Sequence, residues 1–105
     1  MLGSRDIELI ESTINNGRIY FSASDRSFFP SDSFGTRDGT EKGDAVTFEI
    51  DGDEVVCDIR LSSGTRLSPR KSFSPQLKAL KAKAGDKLHV TRLAERRYRL
   101  DHVSV

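Results

Sequence analysis

The clearest pattern along the chain is the alternation in AVTFEIDGDEVVCDIRL, residues 45–61. Val46, Phe48 and Ile50 alternate with Thr47, Glu49 and Asp51, and Val55, Cys57, Ile59 and Leu61 alternate with Val56, Asp58 and Arg60. A period of two marks strands with one buried face. With Gly52-Asp53 as a two-residue turn, Ile50 faces Val55, Phe48 faces Cys57 and Val46 faces Ile59, so all six apolar side chains share a face. A second hairpin is predicted in KLHVTRLAERRYRLDHV. Leu88 and Val90 pair there with Tyr98 and Leu100 across a Leu93-Ala94-Glu95 turn. The opposite face, with His89, Thr91, Arg97, Arg99 and Asp101, is expected to be exposed and basic. RIYFSA reads as a shorter strand with Ile19 and Phe21 on one side.

Helical periodicity is confined to short stretches. In SFSPQLKALKAKAGD, residues Phe73, Leu77, Leu80 and Ala84 form one stripe. Ser74 suits the N-cap, Pro75 the first turn and Gly85 the stop. Ile7, Ile10 and Ile14 also have helical spacing, ended by Asn15-Asn16-Gly17, although IELI reads equally well as a strand. Residues 1–17 are therefore set apart as an N-terminal extension from a domain over 18–105. DRSFFPSDSFG breaks regularity at Pro30 and Gly35. Phe28, Phe29 and Phe34 should pin it to the core, and Ser31, Asp32 and Ser33 suit a short helix after the proline. FFPSDSFG…KGDAVTFEIDGDEVVCDI loosely echoes LSPRKSFS…AGDKLHVTRLAERRYRL, and paired halves suggest a closed, pseudo-symmetric β-barrel.

Composition fits one modest core. The chain has 105 residues, 35% hydrophobic, and no Trp, which leaves six Phe and two Tyr as the large core pieces. Cys57 is the single cysteine, so no internal disulfide forms, and its apolar surroundings predict a buried thiol. There is no secretory signal and no apolar run long enough for a bilayer. The default expectation is a cytoplasmic protein without a membrane partner. Charge is divided: residues 1–60 carry 6 Lys/Arg against 13 Asp/Glu, and residues 61–105 carry 11 against 3. Either one face favours anions, or the halves interleave and the charges mix.

Candidate catalytic chemistry is sparse. His89 and His102 stand alone and Cys57 has no cysteine partner, so zinc-ligand spacing is absent. Asp51, Asp53 and Glu54 fit a hairpin turn. DGTEKGD has the residue types of a nuclease core but lies in a predicted loop. The glycines form no phosphate cradle. The chain is expected to be non-catalytic, with no metal and no cofactor.

DIRLSSGTRLSPRKSFSP, residues 58–75, stands out instead. It places Arg60, Arg66, Arg70 and Lys71 among hydroxyls in a predicted loop. Arginine offers a planar fork that matches a phosphate or a guanine edge, and Ser and Thr add donors to phosphate oxygens. The bland alternative is a solvated loop whose arginines pair with the acidic first half. A second polar patch, SASDRSFF, carries Ser22, Ser24, Arg26 and Ser27 after the first strand. The two segments suggest the arms of a clamp, unless Arg26 pairs with Asp25 or Asp32.

IYFSASDRSFFPSDSFG, VTFEIDGDEVVCDIR, the basic segment, SF…LKALKAKAGDKLHVTRL and RRYRL together resemble the DNA-binding pseudobarrel domains. These include the B-three-type domains of plant transcription factors and the effector-recognition domain of the EcoRII restriction endonuclease. The likeness is greatest to bacterial versions associated with restriction–modification enzymes, and it covers roughly residues 18–103. It implies a mainly β fold with short helices, an open seven-stranded pseudobarrel, and two arms gripping the major groove of double-stranded DNA. By position the first arm would hold Ser24, Arg26, Ser27 and Arg37. The second would hold Arg60, Arg66, Ser68, Arg70 and Lys71. With no nuclease or methylase domain attached, such a module is expected to act alone or with a separate nuclease or methylase. The competing expectation is a dimerising protein-interaction or regulatory β-barrel that ignores DNA. A barrel for single strands or RNA would need exposed aromatics, which the predicted core consumes.

Overall fold

The computed structural model describes residues 3–35, 42–62 and 66–103. Among these, two mixed sheets carry the fold. The larger has the order β1 (Ser4–Glu8), β8 (Lys87–Ala94), β9 (Arg97–Val103), β4 (Val46–Ile50), β5 (Asp53–Cys57). The smaller runs β2 (Phe21–Ser22), β7 (Arg66–Pro69), β6 (Ile59–Ser62), β3 (Phe34–Gly35). β4 is parallel to β9, β3 is parallel to β6, and the other ladders are antiparallel. Seven strands have four or more residues, while β2 and β3 have two each. This is the open pseudobarrel the resemblance implies. The closed barrel suggested by the internal echo does not form. The predicted strand over 55–61 divides at Asp58, and its second half crosses into the other sheet as β6. No described helix is long and apolar enough to cross a membrane.

The first hairpin forms with a shifted register. Phe48 opposes Val55 and Val46 opposes Cys57. The turn is Asp51-Gly52, both with positive φ (50° and 80°), the conformation that favours Asp-Gly in a two-residue hairpin loop. The shift is two residues, so the apolar face survives. In the second hairpin the predicted turn would set Val90 opposite Tyr98, but the register is again shifted by two residues: Val90 opposes Leu100 and Arg92 opposes Tyr98. The turn is Glu95-Arg96, with a bulge between Arg92 and Ala94. Thr91 is buried, not exposed, and β1 places Ser4 opposite it.

The segment expected as an extension supplies β1 and the helix α1 (Glu11–Asn16). Gly17 ends that helix in the left-handed conformation, and its carbonyl accepts from Phe73 N at 2.6 Å. Leu9 N donates to Asp86 O and Gly85 N to Leu9 O, both at 2.8 Å, which ties this segment to the approach to β8. The second helix, α2 (Ser74–Ala79), is shorter than the stripe predicted, because Lys81 turns to a positive φ of 55°. Ser74 is its first residue rather than its cap, and Ser72 Oγ accepts from Ser74 N at 3.2 Å.

The core is aromatic at its centre. Tyr98 stacks on Phe48, with centroids 5.3 Å apart, and also meets the rings of Phe28 and Phe29. Its hydroxyl donates to Phe28 O at 2.7 Å, which satisfies a buried phenol and pins the irregular FFP segment. Phe34 is half-buried, and Ser31–Ser33 form a short 3₁₀ turn, as the sequence suggests.

Candidate functional site

The basic segment is a hairpin rather than a long loop. Ile59 opposes Pro69 and Leu61 opposes Leu67, which gives β6 and β7 an apolar side. Arg60 opposes Ser68 and Ser62 opposes Arg66. Directly opposed residues share a face and faces alternate along a strand. Arg60, Arg66 and Ser68 therefore share the face away from Ile59, Leu61 and Leu67. Arg66 is exposed and Arg60 half-buried. Ser68 is covered, and its hydroxyl donates to Pro69 O at 3.2 Å.

Arg70 also turns inward. Its Nε lies 3.0 Å from Asp58 Oδ2, with side-chain exposures of 12% and 7%. Asp58 Oδ2 further accepts from Gly43 N at 2.9 Å, and Asp58 O accepts from Arg70 N at 3.0 Å. These bonds hold the crossover between the sheets. Beside it, burial pushes the Cys57 thiol up to about 12, with the Asp58 charge adding to the effect. Lys71 is exposed.

The first arm is a 3₁₀ helix, Ala23–Phe28. Ser22 caps it, its hydroxyl accepting from Ser24 N at 3.2 Å and lying 2.8 Å from Ser24 Oγ. Ser22 is also the β2 partner of Arg66 on β7, so the arms leave the small sheet as neighbours. Ser24, Arg26 and Ser27 are exposed, and Arg37 lies outside the described residues. Arg26 pairs with neither acid named as an alternative partner. Asp25 accepts from Arg5 Nε at 3.0 Å and Asp32 accepts from Arg96 at 2.6 Å. The Arg96 hydrogen bond is also the main reason the Asp32 carboxyl sits below its ordinary range. Arg26 lies over the Phe34 ring, 4.7 Å from its centroid, and Arg66 lies over Tyr20 at 5.4 Å.

The charge asymmetry of the sequence is largely mixed in the larger sheet. Arg97 binds Glu49 and Glu54, and Arg99 binds Asp101, so the face expected to be basic is neutralised. Among the described residues, no carboxylate pairs with Arg26, Arg60 or Arg66. An open cleft beside Arg66 is lined by Glu8, Ile10, Tyr20, Phe21 and Ser22. The site thus offers guanidinium donors beside serine hydroxyls, a set suited to anions and to the acceptor edge of a planar base. Tyr20 and Phe34 were absent from the sequence-predicted site. The alternation Ile19, Tyr20, Phe21, Ser22 contains the signal for Tyr20, because it sends that ring outward with Ser22.

No family model and no curated protein matches the chain. Among solved structures it is similar to the N-terminal domain of Helicobacter pylori LlaJI.R1, with a TM-score of 0.68 and 18% identity. The match covers 97% of this chain and 81% of that one, and it establishes a shared fold.

Proposed function

We propose that this protein binds double-stranded DNA through the outer face of β6 and β7 together with the 3₁₀ arm, without catalysis of its own. One observation carries the reading. Carboxylates engage Arg5, Arg70, Arg96, Arg97 and Arg99, whereas the arm residues Arg26, Arg60 and Arg66 have no described carboxylate; Arg18 and Arg92 also lack one, Arg92 donating instead to Glu95 O. Cations left unneutralised beside hydroxyls are what a phosphate backbone attracts. The fold supports the reading, since its structural neighbour belongs to a restriction–modification-related protein.

Sequence-specific recognition in the major groove is the finer form of this proposal, in the service of a restriction–modification system with a separate nuclease or methylase. A single module of this kind buries about 600–1,000 Å² of protein surface, and each bidentate Arg–guanine pair adds about 1–3 kcal/mol of discrimination. Ser24, Arg26, Ser27, Arg60, Arg66 and Lys71 are the assigned contacts among the described residues. Ser68, which is covered, and Arg70, which pairs with Asp58, are left out. The dimerising alternative has less support: among the described residues β5 is an edge strand of the larger sheet and carries Asp53 and Glu54, charges that discourage edge pairing. A duplex titration across a salt series tests the proposal. Binding that weakens steeply with salt supports it, and absence of binding at low salt refutes it.

A further inference from the structure

Stacking on a ring occupies the face of a guanidinium and leaves its edge donors available. Among the described residues four arginines lie over rings, and they divide by what their edges do. Arg5, over Phe28, donates its edge to Asp25 at 3.0 Å. Arg92, over Tyr98, donates to Glu95 O at 2.7 Å. Both edges are consumed within the fold. For Arg26 over Phe34 and Arg66 over Tyr20, the ring is the one partner found among the described residues. Each arm therefore carries one arginine set over a scaffold ring, with no other described partner for its donors.

The rings belong to the scaffold. Phe34 lies in β3, opposite Ile59, and packs against the core. Tyr20 precedes the β2 residue Phe21, which is buried opposite Leu67. Ser22 and Arg66 are partners, so Tyr20 is the diagonal neighbour of Arg66 on the outer side of the ladder. Neither ring depends on a ligand to hold it in place.

We infer that Tyr20 and Phe34 are positioning residues that pre-orient the forks of Arg66 and Arg26 for planar acceptor edges of bases in duplex DNA. The inference rests on the DNA-binding reading above. A phosphate accepts a cation from many directions, so fixing the plane of the guanidinium adds little there. A base edge accepts two parallel donors in one plane, so an arginine already confined over a ring loses less side-chain freedom on binding. Releasing one such side chain should weaken binding to the recognised sequence by about two- to tenfold and leave non-specific binding unchanged.

The test begins with selection by the wild-type protein from a duplex library with a randomised core. The selected duplex and a scrambled duplex are then titrated over a salt series against the wild type, Tyr20→Phe, Tyr20→Leu and Arg66→Lys. Tyr20→Phe, which keeps the ring, should match the wild type. Tyr20→Leu should lose about two- to tenfold on the selected duplex alone, with an unchanged salt slope. Arg66→Lys, which keeps charge but not the fork, should lose more discrimination than Tyr20→Leu. Should Tyr20→Leu fail to fold, Phe34→Leu poses the same question of Arg26. Equal behaviour of Tyr20→Leu and Tyr20→Phe, or equal losses on both duplexes, overturns the inference while leaving DNA binding intact. Absence of duplex binding by the wild type overturns the underlying reading as well.

Discussion

Arg70 and Asp58 form an ion pair 3.0 Å apart where the chain passes from the larger sheet to the smaller, and little of either side chain is exposed. The pair ties the end of β7 to the crossover that precedes β6. Removing one partner leaves the other charge buried and uncompensated, which costs about 3–5 kcal/mol. Arg70→Ala should therefore lower the urea midpoint strongly. Arg66→Ala, at an exposed position, should leave it within about 0.5 kcal/mol of the wild-type stability.

The hydroxyl of Tyr98 reaches Phe28 O at 2.7 Å inside the aromatic cluster. Tyr98→Phe keeps the ring and strands that carbonyl, at a cost of about 1–3 kcal/mol at neutral pH. Burial raises the Tyr98 phenol from 10.0 to about 12. A folded pKa above the unfolded one means that stability is fully present below the unfolded value and is lost as pH rises through the folded value. The gap between wild type and Tyr98→Phe should therefore narrow between pH 10 and about 12, measured as urea midpoints across that range.

These two sites show what could be read from the sequence and what could not. Alternation placed Phe48, Val90, Tyr98 and Leu100 in the core because period-two patterning follows directly from which face is buried. It did not find the crossover at Asp58. The alternation continues unbroken through residues 55–61, and only the third dimension shows that its two halves lie in different sheets. The same gap misplaced Ser68 and Arg70 on the surface: Arg70 is paired with the distant Asp58 and Ser68 is buried with its hydroxyl on Pro69 O, yet in sequence both look like residues facing water. Arg26 and Arg66 were legible as candidates from residue type and position. Their ring partners were not, because a cation–π contact leaves no fixed spacing in the chain.

Gly43 shows a close approach that sequence could not reveal. A Cβ there would sit 2.3 Å from the carbonyl carbon and oxygen of Ser33. Gly52 has open space around it, but a φ of +80°. Gly43→Ala should cost about 3 kcal/mol through backbone overpacking, and Gly52→Ala about 1–2 kcal/mol through conformational strain. Thermal unfolding of the two variants should rank them in that order.

Cys57 is buried, and its thiol is pushed from 9.0 up to about 12, chiefly by desolvation. It should stay protonated at pH 8 and resist alkylation in the native protein. Labelling by a thiol reagent should rise sharply across the unfolding transition. Rapid labelling of folded protein would show that the crossover opens on its own.

The central claim is that Arg26 and Arg66 present charge to DNA rather than to the fold. The direct measurement is the affinity of an Arg26→Ala, Arg66→Ala double variant for duplex DNA across a salt series, with unfolding curves run alongside. The predicted result is a protein of nearly wild-type stability that binds duplex roughly tenfold or more weakly for each arginine removed. Wild-type affinity in a folded double variant would contradict the account.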